Sequence, residues 1–157
     1  MSLLEIHVAL SLIEIPVGFV VVYGMLTGAH YAGWAALFLA LAIVTSVTGF
    51  PLAPFGFDPP RAIGILTLVL LAAALVALYV FKLSGAWRWI YVVTAVATLY
   101  FDCFVAVFQA FLKVPSIHAL APTQSEPPFA IAQGIVLVIF VMLGFLAVRR
   151  FHPAKQA

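Results

Sequence analysis

Five continuous apolar runs of about 20 residues divide the chain, separated by short polar or proline-rich breaks. At 1.5 Å per residue, each is long enough to cross a hydrocarbon layer of about 30 Å as a helix. None alternates apolar and polar positions over about ten residues, the pattern of a membrane β-strand. The pattern predicts an all-α, polytopic transmembrane bundle of five spans with no soluble domain. The spans fall at about 3–26, 31–50, 62–81, 87–112 and 129–148, with cap loops at about 51–61 and 113–128 and a short polar tail at about 149–157.

Composition agrees with this reading. Of 157 residues, 66% are hydrophobic and 8% charged, against about 25% charged in soluble domains. The net charge of +2 is too small for a nucleic-acid partner, and the basic residues sit at span ends. Cys103 is the single cysteine and lies inside a span, so it has no intrachain disulfide partner. The first turn lacks Lys and Arg, and Glu5 and Glu14 interrupt the first apolar run, which therefore reads as a retained span rather than a signal peptide. With five spans, Lys82, Arg88, Arg149, Arg150 and Lys155 share one side, while Arg61 and Lys113 share the other. The bias predicts an amino terminus outside and a carboxyl terminus inside. Trp87, Trp89 and Tyr91 read as an aromatic anchor at the inner interface. The expected location is a bacterial inner (plasma) membrane.

Two spans carry a carboxylate near the middle, Glu14 and Asp102. An ionised side chain at that depth costs roughly 2.5–3.5 kcal/mol even on the lenient insertion scale, so it must face protein, water or a partner. At about 100° per residue, His7, Ser11, Glu14 and Gly18 form one stripe on the first span. Tyr91, Ala95, Thr98, Asp102, Ala106, Gln109 and Lys113 form another on the fourth. The two stripes are expected to face each other across a contact between those helices. His7, Ser11, Glu14, Thr98, Asp102 and Gln109 are the candidate polar cluster, with Glu14 and Asp102 sharing a proton because like charges disfavour double ionisation. The structural alternative is a hydrogen-bonded cluster that sets helix register.

The remaining polar residues point to less. Asp58, His118 and Glu126 are candidates at the outer face, beside Glu5 and His7, but no HxxxH or HxxEH spacing supports a metal site, and none is expected. No span carries a central histidine for haem, and no cofactor is implied. Ala35, Ala42, Thr45 and Gly49 on the second span, with Gly64, Thr67 and Ala74 on the third, read as small faces for close helix packing. Eight of the ten prolines lie in the two outer loops, and with Phe50, Phe55 and Phe57 they read as a stiff cap. Polar side chains before Pro127 and Pro128 are expected to cap the fifth span. No nucleotide loop, Ser-His-Asp order or HExxH occurs.

The leading functional expectation is a non-enzymatic membrane protein, embedded in the lipid bilayer as a homo-oligomer or with other membrane subunits. Its polar cluster would be linked to protons or cations. The competing class is a membrane enzyme that acts on a lipid-like substrate with an intramembrane carboxylate as general acid or base. An apolar pocket open to lipid, with the carboxylates at its base, separates that class from a sealed structural cluster.

Overall fold

A computed structural model describes residues 2–52, 56 and 58–153. These residues form helices α1 (Leu3–Thr27), α2 (Ala32–Gly49), α3 (Pro59–Leu75, continued by one π turn over Val76–Val80), α4 (Trp87–Lys113), the short α5 (Pro115–His118) and α6 (Pro127–Arg150). Five of them are long and apolar enough to cross a membrane. The first four long helices form a ring: α1 packs on α2, α2 on α3, α3 on α4, and α4 closes on α1. Helix α6 lies outside the ring against α4 and α1. The interior is a cluster of Val, Leu, Phe and Ala, and a belt of large apolar residues such as Val69, Val80, Ile131 and Phe145 covers the outside. In a bilayer that belt faces acyl chains.

Local chemistry sets the helix ends. Ser2 accepts from the Glu5 amide while the Glu5 carboxylate accepts from the Ser2 amide, a capping box that starts α1. Gly28 ends it in the left-handed conformation at φ 77°. Asp58 caps α3 by accepting from the Arg61 amide, so the helix starts at Pro59, ahead of the apolar run. Glu126 precedes α6 without capping it, contrary to the expected role of this segment. Its carboxylate turns back and accepts from the Thr123 hydroxyl (2.9 Å) and the Ser125 amide (3.1 Å).

Arg61 organises the loop between α2 and α3. It donates to the carbonyls of Phe50, Leu52 and Gly56 and pairs with Asp58 at 2.9 Å. Pro54, Phe55 and Phe57 of the expected cap lie outside the described residues, as does Lys155 of the tail.

At the opposite end, two expectations are corrected. Tyr91 is only 1% exposed and is no interfacial anchor. It packs against His30 and Phe151, with ring centroids 6.2 and 5.9 Å away. The start of the tail, expected as a short polar segment, is docked: Phe151 is fully buried, and Arg88 donates to the carbonyls of Val148 (2.9 Å) and Phe151 (2.7 Å). Those carbonyls belong to the last turn of α6 and need donors from elsewhere. Trp87 stacks on Phe81, and Trp89 stays exposed.

Candidate functional site

The ring of four helices does not close completely. In the half of the bundle nearer Lys113 it encloses a cavity of about 660 Å³. Every ring helix contributes to the wall: Val8 and Ile15 from α1, Thr45 and Gly49 from α2, Gly64 and Thr67 from α3, Phe101 and Val105 from α4. The α2–α3 loop closes one side through Phe50, Leu52 and Asp58. The volume lies within the range of about 300–1,000 Å³ usual for small-molecule sites.

Asp102 reaches the cavity at its deep end. Glu14 lies just beneath, 1% exposed, with its carboxyl against those of Asp102 and the Thr45 hydroxyl. The two expected stripes therefore meet. Beyond these three groups, no further side chain in the protein hydrogen-bonds Glu14 Oε1 or Oε2, Asp102 Oδ2 or Thr45 Oγ1, so the carboxyl pair and the Thr45 hydroxyl have only one another. Buried polar atoms nearly always find partners, so a buried carboxyl pair served by a single hydroxyl calls for an explanation.

Below the carboxyls the bundle is sealed. Gly18, one turn beyond Glu14, lets α1 approach α4 so closely that an added Cβ would stand 2.6 Å from Leu99 Cδ1 and 2.8 Å from Phe38 Cε2. Leu99 and Phe38 are themselves fully buried, with Val17, Val21 and Met25 around them. No polar route continues toward Arg150: Thr98 is fully buried and donates to the Thr94 carbonyl at 2.9 Å. The site is a dead end.

It is open at the other end and along one flank. His7 and Lys113 stand at the mouth. Leu12 lines the wall yet is 67% exposed, only half a turn from Glu14. Phe19, two turns further along the same flank, meets Phe140 of α6 with ring centroids 6.0 Å apart and stays 42% exposed. No α6 residue lines the cavity, so the flank of α1 at Leu12 is left open to the acyl chains as a lateral window.

The remaining candidates separate into those that join the site and those that do not. His7 Nδ1 hydrogen-bonds Thr48 Oγ1 at 3.1 Å, and the absence of a side chain at Gly49 leaves room for its ring. Ser11 lines the cavity but donates to its own helix, to the His7 carbonyl. Gln109 lines the cavity one turn below Lys113. Asp58 borders the mouth with its carboxylate taken by Arg61. His118 bonds the Phe111 carbonyl at 3.0 Å, and Glu126 closes its own loop; both lie away from the cavity. Among the described residues, no three His, Cys, Asp or Glu side chains are placed to hold a metal ion.

Thr45 and Thr67 are the polar residues missed in the sequence. Each sits on a face of small residues, where a threonine reads as packing; only its position opposite the carboxyl stripe distinguishes it. Gln133 bonds the Phe104 carbonyl from α6 at 3.0 Å and fastens that helix to the outer surface of the ring. Compared with protein-family models, curated proteins and solved structures, the chain matches none.

Proposed function

We propose that this is a non-enzymatic binding protein of the membrane, which takes a small hydrophobic molecule into the cavity between α1, α2, α3 and α4. One observation carries the reading: a cavity of about 660 Å³ with mainly apolar walls and a carboxyl group at its deep end. Apolar walls with a few convergent polar groups are the usual form of a ligand site. The exposed flank at Leu12 supports entry from the acyl-chain region. By the Lys and Arg bias, the mouth at His7 and Lys113 faces outward. The sealed floor argues against a continuous path for protons or cations through a single chain. A pocket open to lipid with carboxyls at its base is also the feature expected of a lipid-acting enzyme, but the hydroxyl of Ser11 donates to a carbonyl of its own helix and offers no activated nucleophile.

Photolabelling tests the proposal. A diazirine-bearing phenylalkyl probe in lipid nanodiscs is expected to label the wall segments 4–15 and 101–113. Ala106→Trp, which places a large ring in the cavity, is expected to abolish that labelling without unfolding the protein. Labelling spread evenly over the apolar surface, unchanged in Ala106→Trp, refutes it.

A further inference from the structure

The chemistry of the floor restricts the ligand further, given that the cavity is a binding site. The deep end is rich in acceptors. The Glu14 and Asp102 carboxyls lie against each other with the Thr45 hydroxyl beside them, and Glu14 Oε1 and Oε2, Asp102 Oδ2 and Thr45 Oγ1 are all buried with no partner outside this group. Besides the Thr45 hydroxyl, the hydroxyls of the two stripes are committed elsewhere: Ser11 donates to the His7 carbonyl and Thr98 to the Thr94 carbonyl. The cations of the site are also out of reach. Arg61 is engaged by Asp58 and the loop carbonyls. Lys113 is exposed at the mouth, eleven residues from Asp102 on the same helix, or roughly 16 Å of axial rise. His7 stands seven residues from Glu14, roughly 10 Å along α1, and bonds Thr48.

A carboxyl pair in an apolar surrounding with no cation beside it is complemented by a counter-charge that brings donors. From these observations we infer that the ligand is a protonated amine with an apolar body: its ammonium group seats on Asp102, which Glu14 backs from beneath, and its body fills the cavity toward Phe101, Val105 and Ile15. An ammonium brings two or three donors and one positive charge to a place where acceptors outnumber donors and no cation reaches. A neutral alcohol brings one donor and leaves the charge. An anion would meet the carboxyl pair directly. The lateral window beside Leu12 admits the apolar body from the bilayer without drawing the whole molecule past Lys113.

The test is a matched pair of probes, 4-phenylbutylamine and 4-phenylbutan-1-ol, measured by equilibrium binding to the full chain in lipid nanodiscs against empty nanodiscs. The amine is expected to bind at least tenfold more tightly than the alcohol, which corresponds to about 1.4 kcal/mol. Asp102→Asn keeps the side-chain shape and is expected to remove that preference, and Glu14→Gln to weaken it at least severalfold. The comparison in the wild-type protein needs no variant, so a poorly folded Asp102→Asn leaves it intact. Equal binding of the two probes, both excluded by Ala106→Trp, overturns the amine and leaves the cavity as a binding site. A preference that survives in both carboxyl variants also overturns it. Binding of neither probe, with photolabel spread evenly over the surface, overturns the amine and the binding site together.

Discussion

Gly18 offers the sharpest test of how the cavity is floored. A Cβ at this position would lie 2.6 Å from Leu99 Cδ1 and 2.8 Å from Phe38 Cε2. Carbon atoms pack best at about 3.5–4.0 Å, so both side chains must retreat by roughly 1 Å. Both are fully buried and have nowhere open to go. Overpacking of this kind costs about 1–3 kcal/mol. Replacing glycine inside a helix returns up to about 1 kcal/mol through backbone entropy. Gly18→Ala should therefore destabilise by about 1 kcal/mol, within a range of about 0–2 kcal/mol. Gly134→Ala supplies the control, because a Cβ there meets nothing within 4 Å and carries the helix gain alone. The difference between the two variants should be about 1–3 kcal/mol, read from SDS unfolding midpoints in mixed micelles. The strained floor should also let water reach the carboxyl pair, visible as faster hydrogen exchange around Leu99 in Gly18→Ala only. Equal midpoints for the two variants, within about 0.5 kcal/mol, would mean that α1 and α4 are not in tight contact there and that the floor is not sealed by this approach.

Four further outcomes follow from features elsewhere in the bundle. Tyr91→Phe removes a buried hydroxyl that has no hydrogen-bond partner and should leave stability unchanged or raise it by about 1 kcal/mol, checked by the same unfolding midpoint. Arg88→Ala strips two carbonyls at the end of α6 of their donor and should cost about 1.5–3 kcal/mol, with exchange accelerated at 147–151 in mass spectrometry. Arg61→Lys keeps the charge but loses the planar fork, so limited proteolysis between α2 and α3 should speed up severalfold while that between α1 and α2 does not. Burial between Tyr91 and Phe151 lowers the pKa of His30 below the ordinary 6.5. The unfolded chain then binds more protons at acidic pH, so stability is level above 6.5 and falls as pH drops below it. His30→Asn should flatten that part of the profile between pH 7.5 and 5.5, and an unchanged slope refutes the assignment.

The five helices were legible because their apolar runs have the length of a bilayer and almost no charge inside. The meeting of Glu14 with Asp102 was legible for a related reason: a carboxylate that cannot face lipid must face inward, and only two helices carried one. The cavity was not legible. It arises where α1 and α4 part above Leu99, and α6, lying outside the ring, does not cover the gap. Residue types do not encode that divergence; the pairwise packing of whole helices does. Ser11 and Thr98 were read as partners for the carboxyls, yet both hydroxyls donate to a carbonyl four residues back, which any helical serine or threonine can do. Thr45 was read as packing because its neighbours on that face are alanine and glycine. Tyr91 followed two tryptophans at a span end and so resembled an interfacial ring, while its burial depends on Phe151, sixty residues away in sequence. Asp58 is an outer-face candidate by sequence, and Arg61 three residues later takes its carboxylate locally.

The fastening of the two ends is unequal. At the Arg150 end, Arg88 ties α4 to α6, Phe151 fills the space beside Tyr91, and the Arg150 carbonyl lies against Gly28 of α1. At the Lys113 end the helices stand apart around the cavity. A bundle clamped at one end and parted at the other is a lever. Helix α1 has 25 residues and is roughly 37 Å long. A tilt of about 3° around the clamped end would move Leu4 by roughly 2 Å and Met25 by almost nothing. A change in the width of the mouth would therefore leave the packed core around Leu99 and Phe38 almost undisturbed.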